Sequence, residues 1–438
     1  MEIFFIRVLT ALIPIKRVRR RLRDRWMAAA RERRLAREIP LVRARYAVHE
    51  AACREKLAQG GRLRVAFLVC DVSMFSAEPV FVKMKDDPRF DCFVAVVPRI
   101  TRGEAFLRDT YAKALETLRP RYGDAVHALY NPDAKTCEGL AGRADIVFTS
   151  ILYFGQSFEC FNAVALSEFA LVAHIPYGYG GPLATDLRRT VFLPELSLFW
   201  KTFLANESVK TIWSNANPVL EPSFVVAGYA KMDRLADFAP GTGRHTVILS
   251  PHHTLADDDG ANGLALSNFL RYADFFLELP RRFPEIRFVF RPHPLLFPRL
   301  ATKEWWGAEK TDAYRAKMAS FPNVEFQQGG DYFATFAESS ALIHDCGSFV
   351  GEYMYTGKPQ CYMLRDASTR EREFTSLGQA ILDCNYPVYD EQGIEEFIRK
   401  VVLGGQDPKA DARRDLARTR VCTYHPCAAE RVVKELFP

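Results

Sequence analysis

From residue 63 onward, short and nearly continuous apolar runs alternate with amphipathic stretches. LRVAFLVC (63–70), FDCFVAVVP (90–98), ADIVFTSILY (144–153) and FALVAHIP (169–176) lack the polar alternation of a half-exposed sheet, so they predict strands covered on both faces. Between the first of them, EPVFVKMKDD and GEAFLRDTYAKALETL carry helical spacing. Strand, helix, strand in this order implies a parallel sheet with right-handed crossovers. FVVAGYAKMDRL (224–235) closes this half, and FAPGTGRHT (238–246) reads as a linker because Pro and two Gly interrupt any periodicity. The pattern then restarts with TVILSP (246–251), RFVFRPHP (287–294), ALIHDC (341–346) and QCYML (360–364), without a short-period repeat. The expected fold class is α/β, with two doubly wound parallel-sheet domains facing a cleft. The expected boundaries are an arm over 1–62, domains over 63–237 and 246–405, and a C-terminal helix over 406–438 that could return to the first domain.

Charge changes the picture of the arm. Residues 1–62 hold 17 Lys/Arg against 6 Asp/Glu, leaving 42 against 47 for the remainder. The body is therefore slightly acidic, which argues against a nucleic-acid binder. Ile3 to Ile15 is apolar apart from Arg7, Thr10 and Pro14, and KRVRRRLRDR follows with seven basic residues in ten. Thirteen helical residues span roughly 20 Å, short of a bilayer core of roughly 30 Å. Positive charge after an apolar insert fits an interfacial anchor on anionic lipid over residues 1–25, on the cytoplasmic face of the cell membrane, rather than a secretory signal. Pro14 should interrupt any helix between the two parts. The ten cysteines include no Cys-x-x-Cys and several sit in apolar runs, so they read as small buried hydrophobes, and Cys422-Thr-Tyr-His-Pro-Cys427 reads as the start of a helix rather than a zinc site.

Candidate chemistry gathers where the strands end. His174, His252-His253-Thr254, Arg291-Pro-His293 and His344-Asp345-Cys-Gly347-Ser348 each close an apolar run, and ligands of doubly wound sheets sit at the carboxyl ends of strands. Gly347 and Ser348 would open a helix directly after a strand, so its N–H groups could hold a phosphate or diphosphate beside Arg291 and His293. Pro176, Gly178 and Gly180 would keep the backbone bare beside His174 and leave room for an acceptor. No G-x-x-x-x-G-K-[ST], G-x-G-x-x-G or G-x-S-x-G is present, which lowers the odds of a P-loop NTPase, a dinucleotide dehydrogenase or an ordinary α/β hydrolase. DDDG (257–260) reads as a solvated loop.

The succession HIPYG, GYAKMDRL, SPHHT, RPHP and HDCGSFVGEYMYTGKP resembles the CDP-glycerol glycerophosphotransferase family of teichoic-acid and capsule polymer assembly, over roughly residues 165–370. The resemblance implies a GT-B fold, with the acceptor on the first domain and the nucleotide donor on the second. It implies cofactor-free, metal-independent transfer of glycerol phosphate from CDP-glycerol to a hydroxyl of a polyol-phosphate or glycan acceptor, free or lipid-linked. His174 matches the family's general base, His293 a histidine on the donor phosphate, Ser348 a serine beside the diphosphate, and Glu352 an acidic position of the following helix. His253, Thr254, Asp345 and Gly347 fall in the same donor-binding motifs. Members usually carry His-Gly where this chain has His174-Ile175, Asp-Tyr-Ser-Ser where it has Asp345-Cys-Gly-Ser348, and often Pro-Thr-x-Arg where it has Pro251-His-His-Thr254. These departures leave a sugar-nucleotide glycosyltransferase as the second reading, beside an epimerase of similar architecture and a catalytically silent assembly factor. In the leading reading an imidazole with an ordinary pKa of about 6.5 at His174 takes the acceptor proton at neutral pH, while Arg291, His293 and the helix start offset the donor's charge.

Overall fold

A computed structural model describes residues 16–101, 103–241, 243, 245–255 and 266–437. The long apolar runs form strands, each ending a few residues earlier than its hydrophobicity does. In the first sheet β1 (Leu63–Val69), β2 (Phe90–Val96), β3 (Val126–Ala128), β4 (Ile146–Thr149), β5 (Leu171–His174), β6 (Lys201–Leu204) and β7 (Phe224–Val226) lie in the order β3-β2-β1-β4-β5-β6-β7. The second sheet has β8 (Thr246–Ser250), β9 (Arg287–Phe290), β10 (Val324–Phe326), β11 (Ala341–His344), β12 (Gln360–Met363) and β13 (Tyr386–Val388) in the order β10-β9-β8-β11-β12-β13. Each registered pair in both sheets is parallel. Both sheets thus repeat the doubly wound order, with the winding reversing between β1 and β4 and again between β8 and β11.

Burial explains the apolar runs. Val65 to Val69 and Val247 to Leu249 are enclosed on both faces, and Phe67 stacks on Phe148 with ring centroids 4.8 Å apart. The second sheet is covered by α2 (Phe269–Arg282), whose Phe269, Tyr272, Phe276 and Leu279 sit in one core with Phe288, Phe290 and Ile343. The chain forms two compact units: Met1–Val72 with Lys85–His174 and Phe192–Thr202, and Ser73–Met84 with Ile175–Val191 and Phe203–Pro438.

The arm is a single 43-residue helix, α1 (Lys16–Ala58), over its described part; the apolar insert and Pro14 lie outside the described residues. The later turns of α1 are built into the first unit. Leu35, Val42, Tyr46 and Cys53 are buried, Tyr46 donates its hydroxyl to the carbonyl of Leu198 at 2.7 Å, and Lys56 pairs with Asp145 at 2.9 Å. Fully enclosed Glu195 meets Arg31 of α1 as an ion pair. The expected surface arm is thus partly structural, because its second half supplies apolar side chains that the sheet needs covered. No helix among the described residues is long and apolar enough to cross a membrane.

All ten cysteines are thiols, and burial pushes several up, Cys53, Cys70 and Cys384 each to about 11. The segment after Cys427 opens a helix at Ala428, and its neighbours Cys422 and His425 form no metal-like cluster among the described residues.

Candidate functional site

The ends of β8, β9 and β11 are stitched together on the reversing side of the second sheet. Ser250 pairs in register with His344, its hydroxyl donates to the carbonyl of Arg291 at 2.8 Å, and the backbone N–H of His293 donates to the carbonyl of Pro251 at 3.0 Å. Asp345 follows directly and is wholly enclosed. Its Oδ1 accepts the backbone N–H of His252 and its Oδ2 that of Asn268, both at 2.6 Å. Burial pushes its carboxyl up to about 7 against these two N–H groups, which favour the ionised form. Asp345 therefore buckles the turn after β8 to the start of α2; both oxygens are taken, which differs from the donor contact expected of it.

That buckle sets the position of three imidazoles. Ring centroids of His252 and His253 are 4.4 Å apart, those of His253 and His293 4.1 Å, and those of His252 and His293 5.0 Å. Ring nitrogens, one from each residue, lie within 4.8 Å of one another, a spacing that would suit a transition metal. The hydrogen bonds point elsewhere. Nδ1 of His293 accepts the backbone N–H of Leu295 at 3.1 Å, and Nδ1 of His252 accepts that of Thr254 at 3.4 Å and faces the Thr254 hydroxyl at 2.9 Å. A neutral imidazole that accepts at Nδ1 carries its proton on Nε2, which assigns that tautomer to His293, whereas the Thr254 hydroxyl can serve either tautomer of His252. The N–H donor fixed on His293 suits an anion. Thr254 is the clasp: its Oγ1 also accepts the N–H of Leu266 at 3.0 Å, and residues 256–265 between them, including DDDG, lie outside the described residues.

Arg291 reaches the same sheet end but is only 7% exposed, and its Nη1 and Nη2 donate to Gln327 Oε1 at 2.8 Å and to the carbonyl of Gly330 at 2.6 Å. It clamps the 327–330 turn instead of presenting its fork outward. Burial also lowers its pKa, with no carboxylate in ion-pair contact among the described residues. Its guanidinium lies 5.9 Å from the ring of Tyr332, and Lys231 lies 5.1 Å from the same ring. Beneath them Glu352, 1% exposed, accepts Tyr332 OH at 2.7 Å on Oε2 and the Lys231 ammonium at 3.3 Å on Oε1, with Tyr229 OH 3.2 Å from Oε1. Glu352 anchors a tyrosine and lysine network rather than facing a nucleotide. Lys231, Tyr229 and Tyr332 carry no motif signal of their own; only their position in GYAKMDRL and next to the 327–330 turn could have drawn notice.

Gly347 and Ser348 do open a helix after β11, but α3 (Phe349–Glu352) is four residues long and passes into a tighter turn over Tyr353–Thr356. Its aligned dipole is correspondingly small. The Ser348 side chain makes no capping bond, and a Cβ on Gly347 would come within 2.5 Å of Leu183 Cδ1. A side chain at Gly347 would therefore have to displace the end of Leu183.

His174 differs most from expectation. It ends β5 in the first unit at 2% exposure, stacks on Phe199 with centroids 4.6 Å apart, and its Nδ1 meets the Thr149 hydroxyl at 3.0 Å. Desolvation pushes its pKa down to about 3, far from a base poised near neutrality. His344 is held likewise: Nδ1 accepts the N–H of Cys346, Nε2 donates to Gln360 at 2.8 Å, and burial pushes it down to about 4. In the second unit, Pro176 and Gly178 stay partly exposed, and a Cβ on Gly178 would meet nothing within 4 Å. A Cβ on Gly180 would come 2.8 Å from Trp213 Cζ2, so this glycine makes room for a tryptophan rather than for a ligand.

No family model matches the chain, and no curated protein does. Solved structures share its architecture. The wall teichoic acid polymerase TagF superposes with a TM-score of 0.52 at 14% identity, covering 85% of this chain and 88% of that one. The UDP-GlcNAc 2-epimerase of Methanocaldococcus jannaschii gives 0.52 at 12% over 86% and 99%, and that of Neisseria meningitidis, bound to UDP-GlcNAc, 0.51 at 14% over 86% and 99%. The fold is of the GT-B type. At such identities the GT-B likeness speaks for architecture alone, and it agrees with the two doubly wound sheets read from the apolar runs.

Proposed function

We propose that this chain is a GT-B transferase that binds the phosphates of a nucleotide-activated donor at the carboxyl ends of β8, β9 and β11, and that the donor is CDP-glycerol. The observation that carries the reading is the cluster of His252, His253 and His293, with ring centroids 4.1 to 5.0 Å apart, at the winding reversal of the second sheet. In the reaction an acceptor hydroxyl oxygen bonds to the glycerol-bearing phosphorus, the bond from that phosphorus to the bridging oxygen breaks, and CMP leaves with the electron pair. The acceptor proton passes to a base; His174 holds that role in the family resemblance, with its enclosure as the point to test. The imidazole N–H groups would offset charge on the departing CMP. TagF, a wall teichoic acid polymerase of the same fold, supports this class.

A sugar-nucleotide donor is the second reading, supported by the fold-level likeness to an epimerase holding UDP-GlcNAc. The same proposal puts the chain on the cytoplasmic face of the cell membrane, with residues 1–25 and the exposed arginines of α1 against anionic lipid. The test is thermal stability of the full chain against CMP, CDP, CDP-glycerol, UDP and UDP-GlcNAc. A ligand at a hundred times its dissociation constant stabilises by about 2.7 kcal/mol. Stabilisation by cytidine nucleotides that His293→Ala loses supports the first reading; a uridine preference moves the assignment to the second; inertness toward all five favours a silent assembly factor.

A further inference from the structure

The turn after β5 rests on the segment that the sequence offers as a phosphate site. Residues 176–182 form neither helix nor strand, so their course is set by the groups that satisfy their backbone and receive their side chains. The Ile175 carbonyl accepts the Ser76 hydroxyl at 2.9 Å, and the Pro182 carbonyl accepts the N–H of Thr375 at 2.9 Å. Between these two ends the seat is the 347–352 segment. A Cβ on Gly347 would meet Leu183 Cδ1 at 2.5 Å, and one on Gly351 would meet Tyr179 Cδ1 at 2.1 Å. Two glycines four residues apart thus leave room for two side chains of the turn.

Glu352 completes the seat through two intermediaries. Its Oε1 accepts the Lys231 ammonium at 3.3 Å, the same ammonium reaches the Tyr177 carbonyl at 3.4 Å, and Oε2 accepts Tyr332 OH at 2.7 Å. Tyr229 OH lies 2.6 Å from the Tyr177 carbonyl and 3.2 Å from Oε1. A carbonyl can only accept, so the Tyr229 hydroxyl hydrogen goes to Tyr177. One backbone carbonyl of an irregular turn therefore has two donors, and both touch a single carboxyl that is 1% exposed. A buried ion pair adds little stability over apolar packing of the same volume, so what this one supplies is a defined position for the carbonyl. The turn itself stays open: Tyr177 is 46% exposed, and a Cβ on Gly178 would meet nothing within 4 Å.

We propose that Glu352 is a positioning residue for the acceptor: through Lys231 and Tyr229 it fixes the Tyr177 carbonyl, and with it the open turn 176–178 against which a polyol-phosphate acceptor places its hydroxyl. This rests on the reading of the chain as a transferase, and it assigns Glu352 to the acceptor side rather than to the donor. The two assignments differ in what they control. A donor contact sets how tightly CDP-glycerol is held, whereas a positioning network sets how well a second substrate is oriented, and there a displacement of about 1 Å can cost about a hundredfold in rate.

The experiment uses the full chain with Tyr229→Phe, Lys231→Met and Lys231→Arg. Tyr229→Phe removes one hydroxyl and keeps the ring beside that of Tyr179, 5.5 Å away between centroids. Hydrogen exchange read by mass spectrometry follows the turn, and CMP release from CDP-glycerol at rising sn-glycerol 3-phosphate, a soluble polyol phosphate, follows the acceptor. In Tyr229→Phe and Lys231→Met, exchange across 175–183 should rise about tenfold with β8 and β11 unchanged. The KM for glycerol phosphate should rise about tenfold, while the CDP-glycerol concentration that half-saturates the thermal shift stays within about twofold. Lys231→Arg should recover part of the loss. Unchanged exchange across 175–183 overturns the proposal, as does a wild type that releases CMP to water yet ignores glycerol phosphate. If CDP-glycerol is bound more weakly in the variants with the acceptor KM unaltered, the transferase reading stands and Glu352 returns to the donor. If CDP-glycerol neither binds nor turns over while exchange still rises, the transferase reading itself fails and the acceptor role falls with it.

Discussion

Asp345 Oδ1 accepts the backbone N–H of His252 at 2.6 Å across 93 residues of sequence, and the same carboxyl holds Asn268 on its other oxygen. One enclosed side chain thereby fixes both the turn that carries two of the clustered histidines and the first residue before α2. The site is organised by a group that faces away from it.

Asp345→Asn should show this by stability. The amide has one acceptor oxygen, so one of the two backbone N–H groups would face Nδ2, an unsatisfied buried donor costing about 1–3 kcal/mol. The wild type should also carry a pH term that the variant lacks. Because burial pushes the carboxyl from 3.8 up to about 7, the folded state binds the proton more tightly than the unfolded one. Its contribution is full below about pH 4 and is lost as pH rises through about 7. Chemical denaturation of both proteins across that window checks the slope, and an Asn variant with wild-type stability and an unchanged slope would refute it.

The enclosed histidines titrate with the opposite sign. Burial pushes His174 from 6.5 down to about 3 and His344 from 6.5 down to about 4, so the unfolded chain takes up protons first on acidification. Stability should fall from about pH 6.5 toward about 4. His174→Phe keeps a ring against Phe199 and cannot take a proton, so the acid limb should become shallower with the fold retained. For catalysis, His174→Gln with unimpaired glycerol-phosphate transfer would end its candidacy as base; a loss of turnover with normal folding would keep it.

Much of the architecture was legible because β1, β2, β8 and β11 are mostly apolar and, apart from the first residues of β1 and β2, buried on both faces. β3, β10 and β13 were not read as strands. Each has three residues, and β13 contains Pro387, so there is no run long enough to carry a period. The strand-end histidines could be found as a set, since topology alone puts each at the carboxyl edge of its own sheet. Which of them cluster and which serve as struts could not. His344 and His174 look like His293 in sequence, yet their difference is made by Gln360, Phe199 and Leu295, partners that only the folded chain brings into place.

Arg291→Lys should weaken the protein without touching its charge. The guanidinium serves Gln327 and Gly330 with two separate nitrogens, and an ammonium cannot span both in that geometry. Loss of one buried bond at about 1–3 kcal/mol should lower the melting temperature in the absence of any nucleotide. An unchanged melting temperature together with a lost nucleotide response would return Arg291 to the donor-binding role expected from its motif.

The arginines of α1 separate into two kinds by what they face, and variants should separate accordingly. Arg31 meets Glu195, which is wholly buried, so removing the cation leaves an uncompensated carboxylate. Arg31 is itself about half exposed, so the cost should lie between the roughly 1 kcal/mol of an exposed pair and the roughly 3–5 kcal/mol of a wholly buried one, and Glu195→Gln should restore much of it. Arg34 and Arg37 are exposed on the same helix, a few turns beyond half-exposed Trp26. Arg34→Ala with Arg37→Ala should leave the unfolding free energy within about 0.5 kcal/mol of wild type. If the arm lies on lipid, each lost charge should weaken binding to anionic vesicles by about 1 kcal/mol, with neutral vesicles unaffected. Cutting the chain at residue 62 would confound the two effects by stripping Val42 and Tyr46 from the first unit, so point variants are the informative ones. Vesicle binding that survives both substitutions unchanged would remove α1 from the membrane contact and leave only its structural part.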